Sequence, residues 1–155
     1  MLNYHGSLGR ATLSNMKTET SRNQEELFAM NAIYAFLTYL DMKQDIDLEA
    51  AVSSGSGTSY EKSPLFVKEI ALESIKHYAE IVAAFAPNMR KWTFGRLNRV
   101  EQAILILAYA HFYYVDPEIG KPIVIDVAVR QAKGYLDGAD YKCVNAILDK
   151  VLIRG

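Results

Sequence analysis

An uninterrupted apolar run at Ala103–Val115 constrains the fold of this chain more than any other feature. The run has 13 residues and includes His111. A helix that crosses a bilayer needs about 20 apolar residues, so the run predicts a buried helix rather than a membrane anchor. A helix that is apolar nearly all round must be covered on every side. The sequence therefore predicts a bundle of helices around residues 99–115.

Apolar residues at helical spacing predict the helices that surround this run. Ser21 and Gln24 form a capping box before a helix near 22–41, and Ser63-Pro64 begins a helix that ends at Ala86-Pro87. Asn98 and Glu101 form a capping box before the central helix, and Asp140 is the predicted cap of the last one. No alternation of period two indicates a strand. The fold class is therefore all-α with six or seven helices, which are predicted at 22–41, 46–53, 64–86, 88–93, 99–115, 125–136 and 140–152.

The 155 residues fit one domain. Residues 1–20 are polar and lack periodicity, so we predict a mobile N-terminal tail followed by a single domain at 21–155. Two small subdomains are predicted within it, at about 21–87 and 88–155. The small polar residues at 53–59 predict a flexible loop.

Several kinds of chemical site are excluded or disfavoured by the residues. The single cysteine, Cys143, excludes an intramolecular disulfide and a cysteine-clustered zinc site. No phosphate-binding glycine loop or nucleophile elbow is present. We interpret His77 and His111 as packed residues and predict no catalytic residue, metal site or cofactor. An enzyme remains an alternative that would require a polar pocket holding His77 or His111 beside carboxylates. No secretory signal is visible, so a cytoplasmic protein is expected.

The charge is unevenly distributed along the chain. Residues 1–87 carry 7 Lys/Arg and 11 Asp/Glu, whereas residues 88–155 carry 10 Lys/Arg and 7 Asp/Glu. Arg90, Lys91, Arg96 and Arg99 are interleaved with Trp92 and Phe94, a pattern typical of single-stranded nucleic-acid binding. The alternative is that both aromatic rings are buried between helices while the cations are solvated. Asn145 lies on a largely apolar helix, which favours a buried interhelical hydrogen bond.

The second half of the chain resembles the NusB family of bacterial transcription antitermination factors. Three motifs carry the resemblance in order over about 88–152, and a weaker match covers Arg22 and Ala29-x-x-x-Ile33-Tyr34. The motifs are Trp92-x-x-x-Arg96-Leu97-x-x-Val100-Glu101-x-Ala103-Ile104-Leu105, the segment Ile123–Lys133, which is similar to "V-A-I-N-E-A-I-E-L-A-K", and the segment Val144–Lys150, which is similar to "V-N-G-V-L-D-K".

The resemblance implies an all-helical fold of two small bundles, of three and then four helices. It implies a non-catalytic factor that binds boxA-like RNA together with NusE, a small-subunit ribosomal protein, in RNA polymerase antitermination complexes. Arg22 and Lys142 match basic positions of the family and join the four cations above as predicted RNA contacts. Tyr34, Glu101 and Asp140 are the predicted partner contacts, and Trp92 and Asn145 are predicted to be structural.

Two departures from the family leave a second function open. Glu25 and Glu26 follow Arg22 where the family often has arginines, and these carboxylates would repel phosphate. The alternative is a protein-interaction module of the same fold that has lost RNA binding. Self-association also stays open, because Tyr113-Tyr114 could form part of a homodimer contact.

Overall fold

A computed structural model describes the backbone of residues 7–89 and 93–154 and the side chains of residues 21–89, 93–138 and 140–154. This part of the chain is all-α, with seven α-helices and no strand, and so the predicted fold class is confirmed. Short 3₁₀ turns occupy Ala86–Asn88 and Phe94–Arg96, and a π-helical turn occupies His111–Val115. The helices are α1 (Ser7–Asp41), α2 (Leu48–Ser56), α3 (Leu65–Lys76), α4 (Tyr78–Phe85), α5 (Arg99–Ala110), α6 (Lys121–Tyr135) and α7 (Gly138–Val151).

Helix α5 is the centre of the molecule, as the apolar run predicts. Six consecutive residues, Ala103–Ala108, are buried, so every side of the helix is covered. One continuous hydrophobic cluster joins α5 to residues of α1, α3, α4, α6 and α7. The predicted cap is confirmed at its start, where Asn98 Oδ1 accepts a hydrogen bond from the backbone N–H of Glu101 at 3.0 Å.

The predicted start of the first helix is wrong. Helix α1 begins at Ser7, so Ser21 lies inside a helix of 35 residues and does not cap it. A capping box marks the first turn of a helix only when the residues before it disfavour helix. Residues 8–20 include several good helix formers and no proline, so the helix extends through them. The mobility of the first twenty residues stays a prediction, and residues 1–6 lie outside the described part of the chain.

The predicted flexible loop at 53–59 is also wrong over its first half, because residues 53–56 form the end of α2. The small residues serve close packing there. A Cβ atom on Gly55 would lie 2.5 Å from the carbonyl oxygen of Phe28 and 2.6 Å from the backbone nitrogen of Ala32, so only glycine lets α2 approach α1 this closely. Gly57 then ends the helix in the left-handed conformation, with φ of 72°.

The single helix predicted at 64–86 is divided into two. Helices α3 and α4 meet at His77, whose φ of −109° and ψ of 17° are not helical. Helix α7 begins at Gly138, so Asp140 lies in its first turn and is not its cap. Asn145 is exposed on α7, and the expected buried hydrogen bond is therefore wrong. The division into two subdomains stays a prediction.

Tyr113 and Tyr114 are occupied within the chain. The Tyr113 hydroxyl lies 3.1 and 3.0 Å from the carbonyl oxygens of Val151 and Ile153, which share its single hydrogen, and it accepts from the Ile153 N–H. The Tyr114 hydroxyl donates to Glu80 at 3.2 Å. Both rings are half-buried. These contacts fasten α5 to the C-terminal segment and to α4, so they supply no support for a homodimer contact at this pair.

Candidate nucleic-acid and protein interface

Arg99, the first residue of α5, lies against the C-terminal end of α1 and is paired there. Its Nη2 donates to the Asp41 carboxylate and its Nη1 donates to Thr38 Oγ1 at 3.3 Å. The guanidinium also lies 5.3 Å from the centre of the Tyr34 ring, which is 39% exposed. The structure therefore brings a predicted RNA contact against a predicted partner contact. Because the Asp41 carboxylate pairs with its guanidinium, Arg99 presents little free positive charge.

Glu101 and Asp140, the other two predicted partner contacts, meet in a groove between the start of α5 and α7. The groove has a volume of about 480 Å³ and an apolar floor that includes Leu105 and Ile147. Burial, and secondarily the Asp140 carboxylate, raise the pKa of Glu101 to about 7. The groove is lined by basic side chains as well as by these two carboxyl groups. Arg96, Cys143 and Lys150 also line the groove.

Arg22 lies at the other end of the contact between α1 and α5. Burial lowers the pKa of His111, the residue after the last one of α5, and the positive charge of Arg22 lowers it further. Twelve residues of helix separate Arg22 from Tyr34, which is about 18 Å at 1.5 Å per residue. The structure therefore separates Arg22 from Arg99. Lys142 is exposed on α7. Arg90, Lys91 and Trp92 lie outside the described residues, and Phe94 is buried, as the structural alternative for that ring expects.

Sequence reasoning missed an ion pair between α1 and α6. Glu26 Oε1 accepts a hydrogen bond from Arg130 Nη2 at 2.6 Å, and the Glu26 carbonyl accepts one from Gln131 Nε2 at 3.2 Å. A signal was available, because Glu26 precedes Met30 and Ile33 on the buried stripe of α1. A carboxylate at such a position needs a cation or hydrogen-bond donors from another helix.

The two histidines do not form the pocket that an enzyme would require in the described part of the chain. His77 lies between Glu73 and Glu80, with its Nε2 3.3 Å from one carboxylate and its Nδ1 3.4 Å from the other. Its ring stacks on Tyr114 with a centroid distance of 4.0 Å. His111 packs edge-on against Phe66. Neither histidine lines the groove at α7 or the second groove, between the α5–α6 turn and residues 152–154.

Two further features are missing from the described residues. These residues include no cluster of three His, Cys, Asp or Glu side chains arranged to hold a metal ion. None of the helices within them combines the length and the apolar character needed to span a membrane.

The comparison with protein families decides what this fold is. The model of the NusB family matches residues 23–152, most of the chain. The chain belongs to the NusB family. Among the relatives, the transcription antitermination protein NusB of Finegoldia magna is 30% identical over 135 residues, which cover 86% of this chain and 95% of that protein. NusB of Treponema denticola is 40% identical over 88 residues, or 56% of this chain and 63% of that protein.

A solved structure agrees with the fold. T. maritima NusB superimposes with a TM-score of 0.70 and 24% identity over 84% of this chain and 89% of that one. At this identity the likeness shows the NusB fold alone. The resemblance seen in the sequence is thus confirmed for the family and for the architecture, whereas the roles of individual residues stay proposals.

Proposed function

We propose that this protein is a non-catalytic, cytoplasmic transcription antitermination factor that binds boxA-like single-stranded RNA together with NusE. The observation that carries the proposal is the family match over residues 23–152, since the matched relatives are named transcription antitermination proteins. These names refer to a role in transcription and to no catalysed reaction, which favours a non-catalytic factor. On this proposal the partner complex includes RNA polymerase that is transcribing ribosomal RNA.

The proposed RNA contacts are cations at the surface. Arg22, Arg96 and Lys142 are exposed in the described structure, and Arg90 and Lys91 belong to the same proposal on sequence grounds alone. Arg99 is a weaker candidate because Asp41 already pairs with it. Each phosphate that a cation neutralises releases counterions, so RNA affinity should fall steeply with salt.

The proposed NusE contacts are Tyr34 and the groove that contains Glu101 and Asp140. The two carboxyl groups favour a basic side chain of the partner, and the apolar floor favours an aliphatic neighbour beside it. A positive charge of the partner beside Glu101 and Asp140 would lower the pKa of Glu101, which burial and Asp140 raise in the free protein. Partner binding at this groove should therefore release protons near neutral pH.

RNA binding is tested by fluorescence anisotropy with a boxA-like RNA and a scrambled RNA of equal composition, with and without NusE. The measurement is made at about 50 and about 200 mM salt. We expect preference for the boxA-like sequence and a marked loss of affinity at the higher salt. Equal, salt-insensitive binding of both RNAs, or no binding, would contradict the RNA half of the proposal.

Partner binding is tested by protection of Cys143, which is exposed and lines the groove. We expect NusE to slow alkylation of Cys143 by a maleimide and Glu101→Arg to abolish that protection. Glu69→Arg, an exposed site on α3, is the matched control and should leave protection intact. If NusE binds but never protects Cys143, the interface lies elsewhere.

A protein-interaction module without RNA binding is the second candidate. Two observations favour it: Glu25 and Glu26 lie beside Arg22, and Asp41 pairs with Arg99. This candidate predicts that NusE is captured equally well before and after ribonuclease treatment, and that no RNA sequence is preferred.

A further inference from the structure

The α1–α6 junction presents a cation that no sequence motif indicated. In the pair formed by Glu26 and Arg130, the Glu26 side chain is 7% exposed and the Arg130 side chain is 54% exposed. The acid is therefore enclosed and the guanidinium faces solvent. Only Nη2 of Arg130 has a described hydrogen-bond partner, and a guanidinium has five N–H donors. Arg130 can bind a second anion without leaving Glu26.

A second arginine lies beside the same carboxylate. The positive charge of Arg22 acts on Glu26 together with that of Arg130, and both oppose the effect of burial, which raises the Glu26 pKa. Arg22 is exposed. One enclosed carboxylate therefore faces two arginines at the surface, one from α1 and one from α6. Glu25, the preceding residue of α1, also acts on this site, so two arginines and two glutamates meet at the junction, with the Glu26 side chain enclosed.

The cations continue along α6 towards α7. Lys133 is one turn beyond Arg130, on the same face of the helix. Its Nζ lies 5.1 Å from the centre of the Tyr141 ring, and Tyr135 nearby in sequence is 55% exposed. Cations next to accessible aromatic rings suit single-stranded RNA, because phosphates and unstacked bases are bound together. A free phosphate or a folded anionic protein would make no use of the rings.

We propose that Arg130 contacts an RNA phosphate beside Arg22, and that the enclosed Glu26 carboxylate positions the Arg130 guanidinium while weakening its attraction for RNA. The proposal rests on the proposed function and adds a contact residue and a restraint to it. Glu26 is a positioning residue here, because it acts on RNA only through Arg130. The RNA path then runs over α1 and α6, away from the corner where Arg99 is paired with Asp41.

The first test compares Arg130→Gln with Lys76→Gln, an exposed cation on α3, in full-length protein. Anisotropy with the boxA-like RNA is measured across a salt series. We expect Arg130→Gln to weaken binding about five- to tenfold at low salt and to lower the salt slope by about 1. Lys76→Gln should change neither quantity. Arg130→Lys keeps the charge, and it should retain the slope.

The second test removes the negative charge of Glu26 and leaves Arg130 in place to contact RNA. Glu26→Gln keeps an oxygen that can accept the Arg130 hydrogen bond but deletes the negative charge. We expect RNA to bind about threefold more tightly, with the gain absent when Arg130→Gln is also present. A residue with a merely structural role would give no such gain.

The outcomes separate the two proposals. Wild-type protein that binds RNA, with Arg130→Gln indistinguishable from Lys76→Gln, overturns the inference and leaves the proposed function standing. Wild-type protein that binds no RNA overturns both. Urea unfolding of each variant establishes that the compared proteins are folded. If Arg130→Gln does not fold, the affinity of Glu26→Gln decides the matter, because an unchanged affinity would overturn the inference.

Discussion

Two ion pairs join α1 to the second half of the chain, and their burial is reversed. Near the C-terminal end of α1, Arg99 is 33% exposed and its partner Asp41 is 62% exposed. Towards the other end, Arg130 is 54% exposed and Glu26 is 7% exposed. In the first pair the acid is more exposed than the cation, whereas in the second pair the cation is exposed and the acid is buried. The sign of charge at a surface is thus decided by which partner is enclosed and not by the number of arginines in the segment.

This comparison revises which cations are attractive as RNA contacts. Arg99 belongs to the basic segment at residues 90–99, but its guanidinium is bonded to Asp41 and Thr38 and lies against the Tyr34 ring. Arg130 belongs to no basic run, yet its side chain is 54% exposed. A charge pattern along a chain is therefore weak evidence for a surface until the pairing is known.

The largest expected effect concerns the packing that holds the Glu26 half of α1 in place. Gly55→Ala would force a Cβ atom against the backbone at Phe28 and Ala32, and backbone atoms cannot rotate away. We expect a loss of about 3 kcal/mol in the free energy of unfolding, measured with urea.

Gly134→Ala is the matched control for Gly55→Ala. A Cβ atom on Gly134 in α6 would meet nothing within 4 Å. We expect this variant to be stabilised by about 0.5 kcal/mol, because alanine favours helix. Equal stability of the two variants would show that α2 does not pack closely on α1, and the rigid placement of Glu26 would lose its basis.

The next effect tests the reversed burial directly. Arg130→Ala leaves an enclosed carboxylate without its cation, and we expect it to cost about 2 kcal/mol, less than a fully buried pair because Arg130 is half exposed. Asp41→Ala removes an exposed acid, and we expect it to cost about 0.5 kcal/mol. Urea unfolding at pH 7 measures both. The opposite order of the two losses would break the comparison.

A smaller effect than that of Arg130→Ala concerns Glu101, whose pKa is raised by burial and by Asp140. The pKa of Glu101 rises from 4.5 to about 7 in the folded protein, so the folded state binds this proton more tightly than the unfolded chain. Its contribution to stability is therefore present below about pH 4.5 and is lost as pH rises towards about 7. We expect Glu101→Gln to gain about 1 kcal/mol over wild type at pH 8, after allowance for solvent screening, and little at pH 4.

Unfolding curves at pH 4, 6 and 8 measure this difference, with Glu69→Gln as a control on an exposed face. A pH-independent difference between Glu101→Gln and wild type would show that Asp140 and burial do not act on Glu101. The experiment also sharpens the contrast with Glu26, whose pKa is likewise raised by burial but is lowered again in part by Arg130 and Arg22.

Local signals in the sequence predicted much of the fold. The apolar run predicted the buried α5, the Asn98 cap is formed as expected, and the motifs of the second half identified the family. Predictions failed where a local signal competes with a distant one. The Ser21 capping box was overridden by helix-favouring residues before it, and the serines and glycines of 53–56 were interpreted as a loop although Gly55 is required by contact with α1.

The residues by themselves determined the helical class, the central helix and the family, because periodicity, caps and motifs depend on neighbours within a turn or two of the chain. Only the tertiary structure decided which charges meet. It paired Arg99 with Asp41 and Arg130 with Glu26, and it brought Glu101 to Asp140, across separations of about 40 to about 100 residues. Ionic attraction depends on distance and burial in space, and neither quantity is encoded in the local pattern of any single helix.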